Sequence, residues 1–316
     1  MSKEHNWEYK TIEWLRFFCA FAVVLLHAVG PPLFNGVISY KNGIYDIIRI
    51  TFSEGICRVA VPVFFVISGN LFYVKLENWN KTIWIDKIKK RIRTLFVPYL
   101  IWNILALVFL LLSLYPRSIL KGDAIPDLKI WFYSIGGICS LWDTGDRFPI
   151  NYPLWFIRNL MVLNLMSPII YLFIKRLRVI GIIFLFILFV TNYWIHISGF
   201  GISGFFFFSL GAYFRLLRIN LVNFCEKIYM KTMAISFLLL VPMVITYGNN
   251  PTCYECFHRV FALFGSLSTI GIVAHYLKHN ILKEYPFLSK TSFFVYATHA
   301  IFFLPIITYA LYKVFP

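Results

Sequence analysis

Nine apolar runs of bilayer-spanning length constrain this sequence more than any other feature. Each has about 17 to 23 residues, the length that an α-helix needs to cross the hydrocarbon core of a membrane. The runs cover residues 13–30, 56–74, 94–114, 152–174, 179–197, 201–217, 232–248, 259–277 and 291–313. Because a chain in hydrocarbon must satisfy its backbone hydrogen bonds internally, these runs predict an all-α, polytopic transmembrane bundle.

The composition agrees with a membrane protein and excludes an ordinary soluble one. Hydrophobic residues make up 59% of the chain and charged residues only 14%, and the mean hydropathy is +0.72. The formal net charge of +16 would favour nucleic acid in a soluble protein. Here the basic residues separate the apolar runs and form no patch with stacking aromatic residues, so we expect no nucleic-acid partner and a lipid bilayer instead.

The distribution of Lys and Arg predicts the topology. Most basic residues between the runs fall on the same side as the N-terminus, which the positive-inside rule assigns to the cytoplasm. We expect one membrane-embedded domain over residues 1–316, with no appended soluble domain. Segment 127–141 is apolar but interrupted by Gly136 and Gly137, so it is not counted, although it could hide a tenth span.

The first run carries two ionisable residues, Arg16 and His27, where each costs at least a few kcal/mol. Eleven helical residues span roughly 16 Å and return to within about 20° of the same face. Glu13 lies one turn before Arg16, a spacing at which the two could pair. Arg16 could instead be an anchor that extends to the interface, and His27 a hydrogen-bonded core residue. A functional His27 would be a natural proton acceptor near neutral pH.

Three further stretches contain candidate site residues. "VPVFFVISG" (61–69) ends at Ser68 and Gly69, where a missing side chain would let a helix or a ligand approach closely. A basic cluster with Arg91 and Arg93 precedes the third run, and such a cluster is commonly a topology signal with affinity for anionic lipid. The last run contains His299, with Tyr296 one turn before it.

With these motifs in this order, the sequence resembles the acyltransferase-3 family of integral membrane O-acyltransferases over nearly its whole length. The resemblance depends on Arg16 and His27 at the spacing Arg-x10-His, on "VPVFFVISG", and on Arg91-x-Arg93 before "VPYL". "LWFI" at 154–157 and "VYATHA" near the end complete it. Members commonly have a tenth span, so either one is hidden here or the chain ends after nine.

The resemblance implies transfer of an acyl group, usually acetyl, from cytoplasmic acyl-CoA to a hydroxyl of an extracytoplasmic or lipid-linked glycan. His27 would be the general base, and Arg16 would bind a phosphate or polarise the acyl carbonyl. Arg91 and Arg93 would bind the donor's phosphates. The remaining candidates would line the acyl-CoA tunnel: Glu13, Ser68, Tyr296 and His299. Acetyl-CoA would be a donor substrate, with no permanently bound cofactor and no metal, in a multi-pass protein of the cell membrane, the inner membrane in a bacterium.

Two other classes of function stay open at the level of the residues. A transporter or flippase would use intramembrane Arg and His as a substrate or proton pathway, although the inverted repeats that would favour it are not visible. A receptor or scaffold would leave Arg16 and His27 without a task. The oligomeric state is not predicted.

Two loop features complete the sequence hypotheses. Cys253 and Cys256 in "PTCYECFH" predict a local disulfide or two free thiols rather than zinc, since only His258 lies nearby as a third ligand. An acceptor would have to meet the outer loops 31–55 and 115–151. The second loop and the residue after it offer side chains suited to sugar binding: Trp142, Asp143, Asp146, Arg147, Asn151 and Tyr152.

Overall fold

The protein is predominantly helical in the part described by this computed structural model, which comprises residues 3–28, 47–121, 128–283 and 285–304. Those ranges contain no β-strand, apart from one isolated bridge between Ile197 and Phe200. The predicted all-α class is confirmed. The predicted span 291–313 and the outer loop 31–55 are only partly covered, because residues 29–46 and 305–316 lie outside the described residues.

Eleven α-helices are described. In chain order they are α1 (Lys3–Ala28), α2 (Ala60–Phe72), α3 (Lys81–Arg91), α4 (Val97–Lys121), α5 (Leu128–Ser134), α6 (Trp155–Leu165), α7 (Ser167–Thr191), α8 (Ile202–Leu216), α9 (Leu221–Thr246), α10 (Pro251–Lys278) and α11 (Pro286–Thr298). Three segments with the wider π-helical turn adjoin them: Ile50–Ile56 before α2, Ile92–Phe96 between α3 and α4, and His299–Phe303 after α11.

The chain forms two compact units. The first comprises Met1–Asn80, Ser167–Trp194 and Ile202–Tyr296, and the second comprises Lys81–Met166, Ile195–Gly201 and Ala297–Pro316. In the first unit α1, α2, α8, α9 and α10 pack on one another, and α7 packs on α8. In the second unit α3 and α4 are joined through their π-helical turn and lie against α6 and the loop that follows α5.

Four helical stretches among the described residues are long and apolar enough to cross a membrane. They are Ile47–Phe72, Lys81–Leu112, Leu221–Thr246 and Pro251–Lys278, and α8 is a shorter apolar helix. These stretches support a membrane protein with several spanning helices. The count of nine spans and the cytoplasmic N-terminus stay predictions.

Several predicted boundaries are wrong, and each difference has a physical reason. The second spanning helix starts at Ile47, not at residue 56, because the π-helical segment continues the helix backwards. The predicted span 152–174 contains two helices, α6 and the first part of α7. Pro168 lacks an N–H and cannot continue α6, but it is well tolerated in the first turn of α7.

The predicted break between spans 152–174 and 179–197 is confirmed within α7. Arg178 has φ 48° and ψ −127°, which interrupts the helix there. By contrast, residues 128–141, the described part of segment 127–141, contain no helix long enough for a tenth span. Helix α5 has 7 residues, about 10 Å of a hydrocarbon core about 30 Å thick, and the backbone turns away at Gly136, where φ is 90°.

Helices α2 and α8 approach so closely that only glycine fits at two positions. A Cβ atom on Gly69 would lie 2.0 Å from the carbonyl oxygen of Phe208, and one on Gly211 would lie 1.9 Å from that of Val66. The close approach predicted for Gly69 is therefore confirmed, with α8 as the partner. Small residues at such contacts gain van der Waals packing where water cannot drive association.

Large aromatic side chains fill the space around this contact. Phe206, Phe207 and Phe208 are almost fully buried, and the ring of Phe189 from α7 stacks on that of Phe206 with centroids 5.2 Å apart. The ring of Phe72 lies 6.1 Å from that of Phe208. The core of the first unit thus surrounds the contact between α2 and α8.

We expect Gly69→Ala and Gly211→Ala each to destabilise the protein by about 1–3 kcal/mol, because the added methyl group meets backbone that cannot move aside. Thermal unfolding in detergent measures the loss. Gly201→Ala is the control, since its Cβ would meet nothing closer than 3.5 Å. Equal midpoints for all three variants would contradict this contact.

Candidate functional site

Helix α1 brings Arg16 and His27 onto one stripe of its surface. Ala20 and Val23 lie between them on that stripe, at the helical spacings of four, three and four residues. Ala20 is 1% exposed and Val23 is 3% exposed, whereas Arg16 and His27 are half-buried. The stripe is covered by protein along its middle and partly covered at its two polar ends.

The neighbours of α1 come from α2, α9, α10 and the turns before α2. Near the C-terminal end of α1, the Ser53 hydroxyl donates to the carbonyl oxygen of Leu26 at 3.5 Å. His27 therefore directly follows a residue that is bonded to the π-helical turn Ile50–Ile56. Wider turns of this kind occur frequently at functional sites.

Glu13 bonds a different partner from the one that its spacing suggested. Its carboxylate accepts a hydrogen bond from the Tyr9 hydroxyl, which raises the pKa of Tyr9, and no ion pair joins Glu13 to Arg16 among the described residues. Glu13 also lines a cavity of about 210 Å³ between α1 and the start of α11. The other lining residues are Lys10, Trp14, Phe17, Phe18, Phe21, Tyr285, Leu288 and Ser289.

Ser68 lies on α2, half-buried, next to the glycine contact with α8. The same region holds a buried ionic group: the Nη2 atom of Arg215 donates to Glu8 at 2.8 Å and to the side-chain oxygen of Asn70 at 2.9 Å. This group ties α1, α2 and α8 together, and sequence reasoning missed it. Its three residues are far apart in the chain, so no motif could indicate this group. The one available signal was an acidic residue on a helix face that is otherwise buried.

The predicted donor-binding residues lie in the second unit. Arg91 is the last residue of α3 and is half-buried, and Arg93 lies in the π-helical turn and is exposed. Lys89 and Lys90 precede them in the same helix. Arg16 and His27 belong to the first unit, so a shared site for all four residues stays a prediction.

His299 is 1% exposed and is the first residue of the π-helical segment in the second unit, while Tyr296, 6% exposed, closes the first unit. Two buried asparagines anchor the segment that leads to His299. Asn151 donates from its side chain to the carbonyl oxygen of Ala297 at 3.1 Å, and its backbone N–H donates to the Asn103 side chain at 3.0 Å. Asn151 is 0% exposed and therefore cannot meet a sugar at the surface.

The loop 142–150 is built around Asp143. One carboxylate oxygen accepts the backbone N–H groups of Gly145 and Arg147 at 2.9 Å each, and the other accepts the hydroxyl of Ser198. Below the loop, Arg158 donates to the carbonyl oxygens of Trp142 and Arg147. Asp143 thus has a structural task, and the exposed side chains that remain for an acceptor are Trp142, Asp146, Arg147 and Tyr152.

The two thiols at the start of α10 are not joined. Cys253 is exposed and Cys256 is half-buried, and both are free cysteines. Their separation of three residues on a helix puts them on neighbouring turns of the same face. Of the two alternatives that the sequence left open, free thiols and a disulfide, the structure has the free thiols.

Comparison with known proteins adds an independent finding. Residues 9–316 match the protein family Acyl_transf_3, described as an acyltransferase domain. The succinoglycan biosynthesis protein ExoH of Rhizobium meliloti (strain 1021) is 24% identical over 307 residues, which cover 91% of this chain and 76% of ExoH. No solved structure gives a significant match.

The hydroxyl of Ser198 and the loop N–H groups lower the pKa of Asp143, because they bind its ionised form. A group whose pKa is lowered in the folded state contributes stability above its unfolded pKa and loses it as the pH falls through the folded pKa. Ser198→Ala should therefore let the loop open at a higher pH than in the wild type. Limited proteolysis within 142–150 across acidic pH measures this shift, and Ser203→Ala, outside the loop, is the control. Identical profiles would contradict the task assigned to Asp143.

Proposed function

We propose that this chain, which belongs to the acyltransferase-3 family and is an acyltransferase, transfers an acetyl group from acetyl-CoA to a hydroxyl group of a glycan. The relative ExoH is named for the biosynthesis of succinoglycan, which supports a glycan acceptor. The observation that carries the proposal is that Arg16 and His27 lie on one stripe of α1, with the buried residues Ala20 and Val23 between them.

His27 is the general base of this proposal. A hydroxyl attacks a thioester carbonyl slowly until a base accepts its proton, and a neutral imidazole has a suitable proton affinity near neutral pH. In the reaction the acceptor oxygen forms a bond to the acetyl carbon, His27 takes the hydroxyl proton, and the carbon–sulfur bond breaks. The proton then passes to the departing CoA thiolate.

Arg16 stabilises negative charge in this scheme. It lies roughly 16 Å from His27 along α1, so it is better placed to bind the donor than the attacking oxygen. Arg91 and Arg93 bind the phosphates of acetyl-CoA, because guanidinium groups form bidentate, charge-assisted hydrogen bonds with phosphate oxygens. Ser68, Glu13, Tyr296 and His299 remain candidates for the lining of the donor tunnel.

The direction of transfer follows from the predicted topology. With the N-terminus in the cytoplasm, Arg16 and the Arg91–Arg93 pair are near the donor side, and the end of α1 that carries His27 is near the outer side. The acceptor is then an extracytoplasmic or lipid-linked glycan, and the enzyme is a multi-pass protein of the cell membrane.

We expect His27→Ala to reduce acetyl transfer by roughly 100-fold or more, because a general base commonly contributes that much. The assay follows label from acetyl-CoA into cell-envelope glycan with purified, correctly inserted protein. His196→Ala is the matched control, since His196 is exposed and lies in the segment between α7 and α8. Transfer by His27→Ala at the wild-type rate would remove His27 from the mechanism. Glycan movement without label transfer in the wild type would favour a flippase.

We expect the double substitution Arg91→Ala and Arg93→Ala to weaken acetyl-CoA binding by about 10-fold or more, since each charge-assisted hydrogen bond contributes roughly 1.5–3 kcal/mol. Titration of CoA into the purified protein measures the affinity. The paired control replaces Lys89 and Lys90 in the same helix, which tests a mere loss of positive charge. An equal loss of CoA affinity in both double variants would contradict a phosphate site at Arg91 and Arg93 and would leave them only a role in topology.

A further inference from the structure

Two cysteines near the start of α10 have no task in the proposed acyl transfer. Cys253 and Cys256 form a Cys-x-x-Cys pair, and both are free thiols. Cys253 is exposed, and Cys256 is half-buried. Such pairs are a common setting of thiols that react in disulfide exchange, because an accessible thiol has a second thiol close behind it. The pair is therefore a candidate site of reversible oxidation.

The pair lies at an end of α10 that extends beyond its apolar run. Helix α10 has 28 residues and is about 42 Å long, whereas the hydrocarbon core of a bilayer is about 30 Å thick. The apolar run covers residues 259–277, so both cysteines precede it. Glu255, which lies between them in the sequence, forms an ion pair with Arg259 at 3.3 Å. A water-soluble reagent can thus reach Cys253 in the polar region at the membrane surface.

Helical geometry brings the two cysteines close enough for a disulfide bond. Cα atoms three residues apart in an α-helix are separated by about 5 Å, and disulfides are found at about 4.4–6.8 Å. The Cβ atoms are about 5–6 Å apart and need to approach to about 3.5–4.5 Å, so the turn must tighten by about 1 Å. A disulfide that is closed against this strain is easily reduced again, which suits a reversible pair.

The first turn of α10 can tighten without losing a helical hydrogen bond from Cys253. The N–H group of Cys253 donates to the side-chain oxygen of the N-cap residue Asn250 at 3.1 Å. The first regular helical bond runs from the N–H group of Tyr254 to the carbonyl oxygen of Asn250, at 2.9 Å. A side-chain cap can follow a small movement of Cys253, because the Asn250 side chain can rotate.

Cys256 can leave its present partner without releasing the neighbouring helix. Its thiol donates to the carbonyl oxygen of Val190, near the end of α7, with a sulfur–oxygen distance of 3.9 Å. The same end of α7 is bound more firmly by Arg259, whose Nη1 atom donates to the carbonyl oxygen of Phe189 at 2.6 Å. Oxidation of Cys256 therefore removes a weak contact and keeps the strong one.

We propose that Cys253 and Cys256 are a redox-active dithiol that closes to an intramolecular disulfide by exchange with an external disulfide. With the predicted topology this end of α10 faces the outer side of the membrane, which is the oxidising side in a bacterium. The site does not depend on the proposed acyl transfer, because neither thiol binds the donor or takes a proton in it.

The exchange has two steps. The exposed Cys253 attacks one sulfur of the external disulfide as a thiolate and displaces the other sulfur as a thiol. Cys256 then attacks the sulfur of Cys253 and displaces the second thiol. The two cysteines together lose two electrons and two protons, and the external disulfide is reduced to two thiols.

The test uses the full-length protein in nanodiscs, with glutathione disulfide as the probe. The remaining thiols are alkylated, and trypsin then releases both cysteines in one peptide, residues 232–259. The intramolecular disulfide makes this peptide lighter than its dithiol form by two hydrogen atoms, whereas a mixed disulfide adds one glutathione. We expect the intramolecular form to exceed the mixed form by about 10-fold or more, because the second thiol acts at a high effective concentration.

Cys139 and two variants are the controls. Cys139 is exposed and has no cysteine near it in the sequence, so we expect it to accept glutathione and keep it. Cys256→Ser should hold Cys253 as a mixed disulfide, and Cys253→Ser should leave the half-buried Cys256 mostly reduced. A wild-type peptide 232–259 that stays fully alkylated would overturn the proposal. A mixed disulfide at Cys253 that is as abundant in the wild type as in Cys256→Ser would overturn it too.

Reversibility and location are measured on the same peptide. Dithiothreitol should reopen the disulfide in the folded protein, and a bond that resists it would be structural rather than redox-active. In cells trapped with acid before alkylation, we expect part of the peptide in the disulfide form. A pair that is fully reduced in the cell would contradict its exposure to an oxidising compartment and overturn the exchange proposed there.

Discussion

The absence of water inside a membrane governs the arrangement of this protein more than any single contact does. A polar side chain in an apolar helix must find its partner within the protein, because hydrocarbon offers none. Glu8, Asn70 and Arg215 meet this demand together, and so do Arg49, Glu54 and Tyr247. The first group joins the three helices α1, α2 and α8, and the second joins the helix Ile47–Phe72 to the end of α9. Polar residues that are costly singly thus determine which helices are neighbours.

The fold class could be predicted from the sequence because it depends on local properties. Run length and hydrophobicity are enough to indicate helices, and a glycine in an apolar helix is enough to indicate a close contact, as at Gly69. The helix boundaries were harder. Nothing in a hydropathy pattern marks the start at Ile47 or the restart of the helix at Ser167, because both depend on backbone hydrogen bonding that leaves the apolar character unchanged.

Some parts of the candidate site could likewise be predicted from the sequence, and others could not. The stripe of Arg16 and His27 follows from helical geometry alone and is found on one partly covered face of α1. Asp143 shows the limit of composition as a guide, since a loop carboxylate suited to sugar binding is used to hold the loop itself. The contact between Glu54 and Tyr254 could not be predicted, because the two residues are 200 positions apart and meet only through tertiary packing.

The three π-helical segments give the molecule places where its length can change. Each wide turn holds one residue more than an α-helical turn of the same rise, so the extra residue is taken up within the turn and the helix on either side keeps its orientation. Deleting one residue from Ile50–Ile56, Ile92–Phe96 or His299–Phe303 would restore an ordinary helix and leave the flanking faces where they are. A single insertion or deletion at these positions would therefore change the side chains of one turn and preserve the contacts of the rest of the helix. Such one-residue changes are a route by which this fold can acquire new specificity without any change in its helix order.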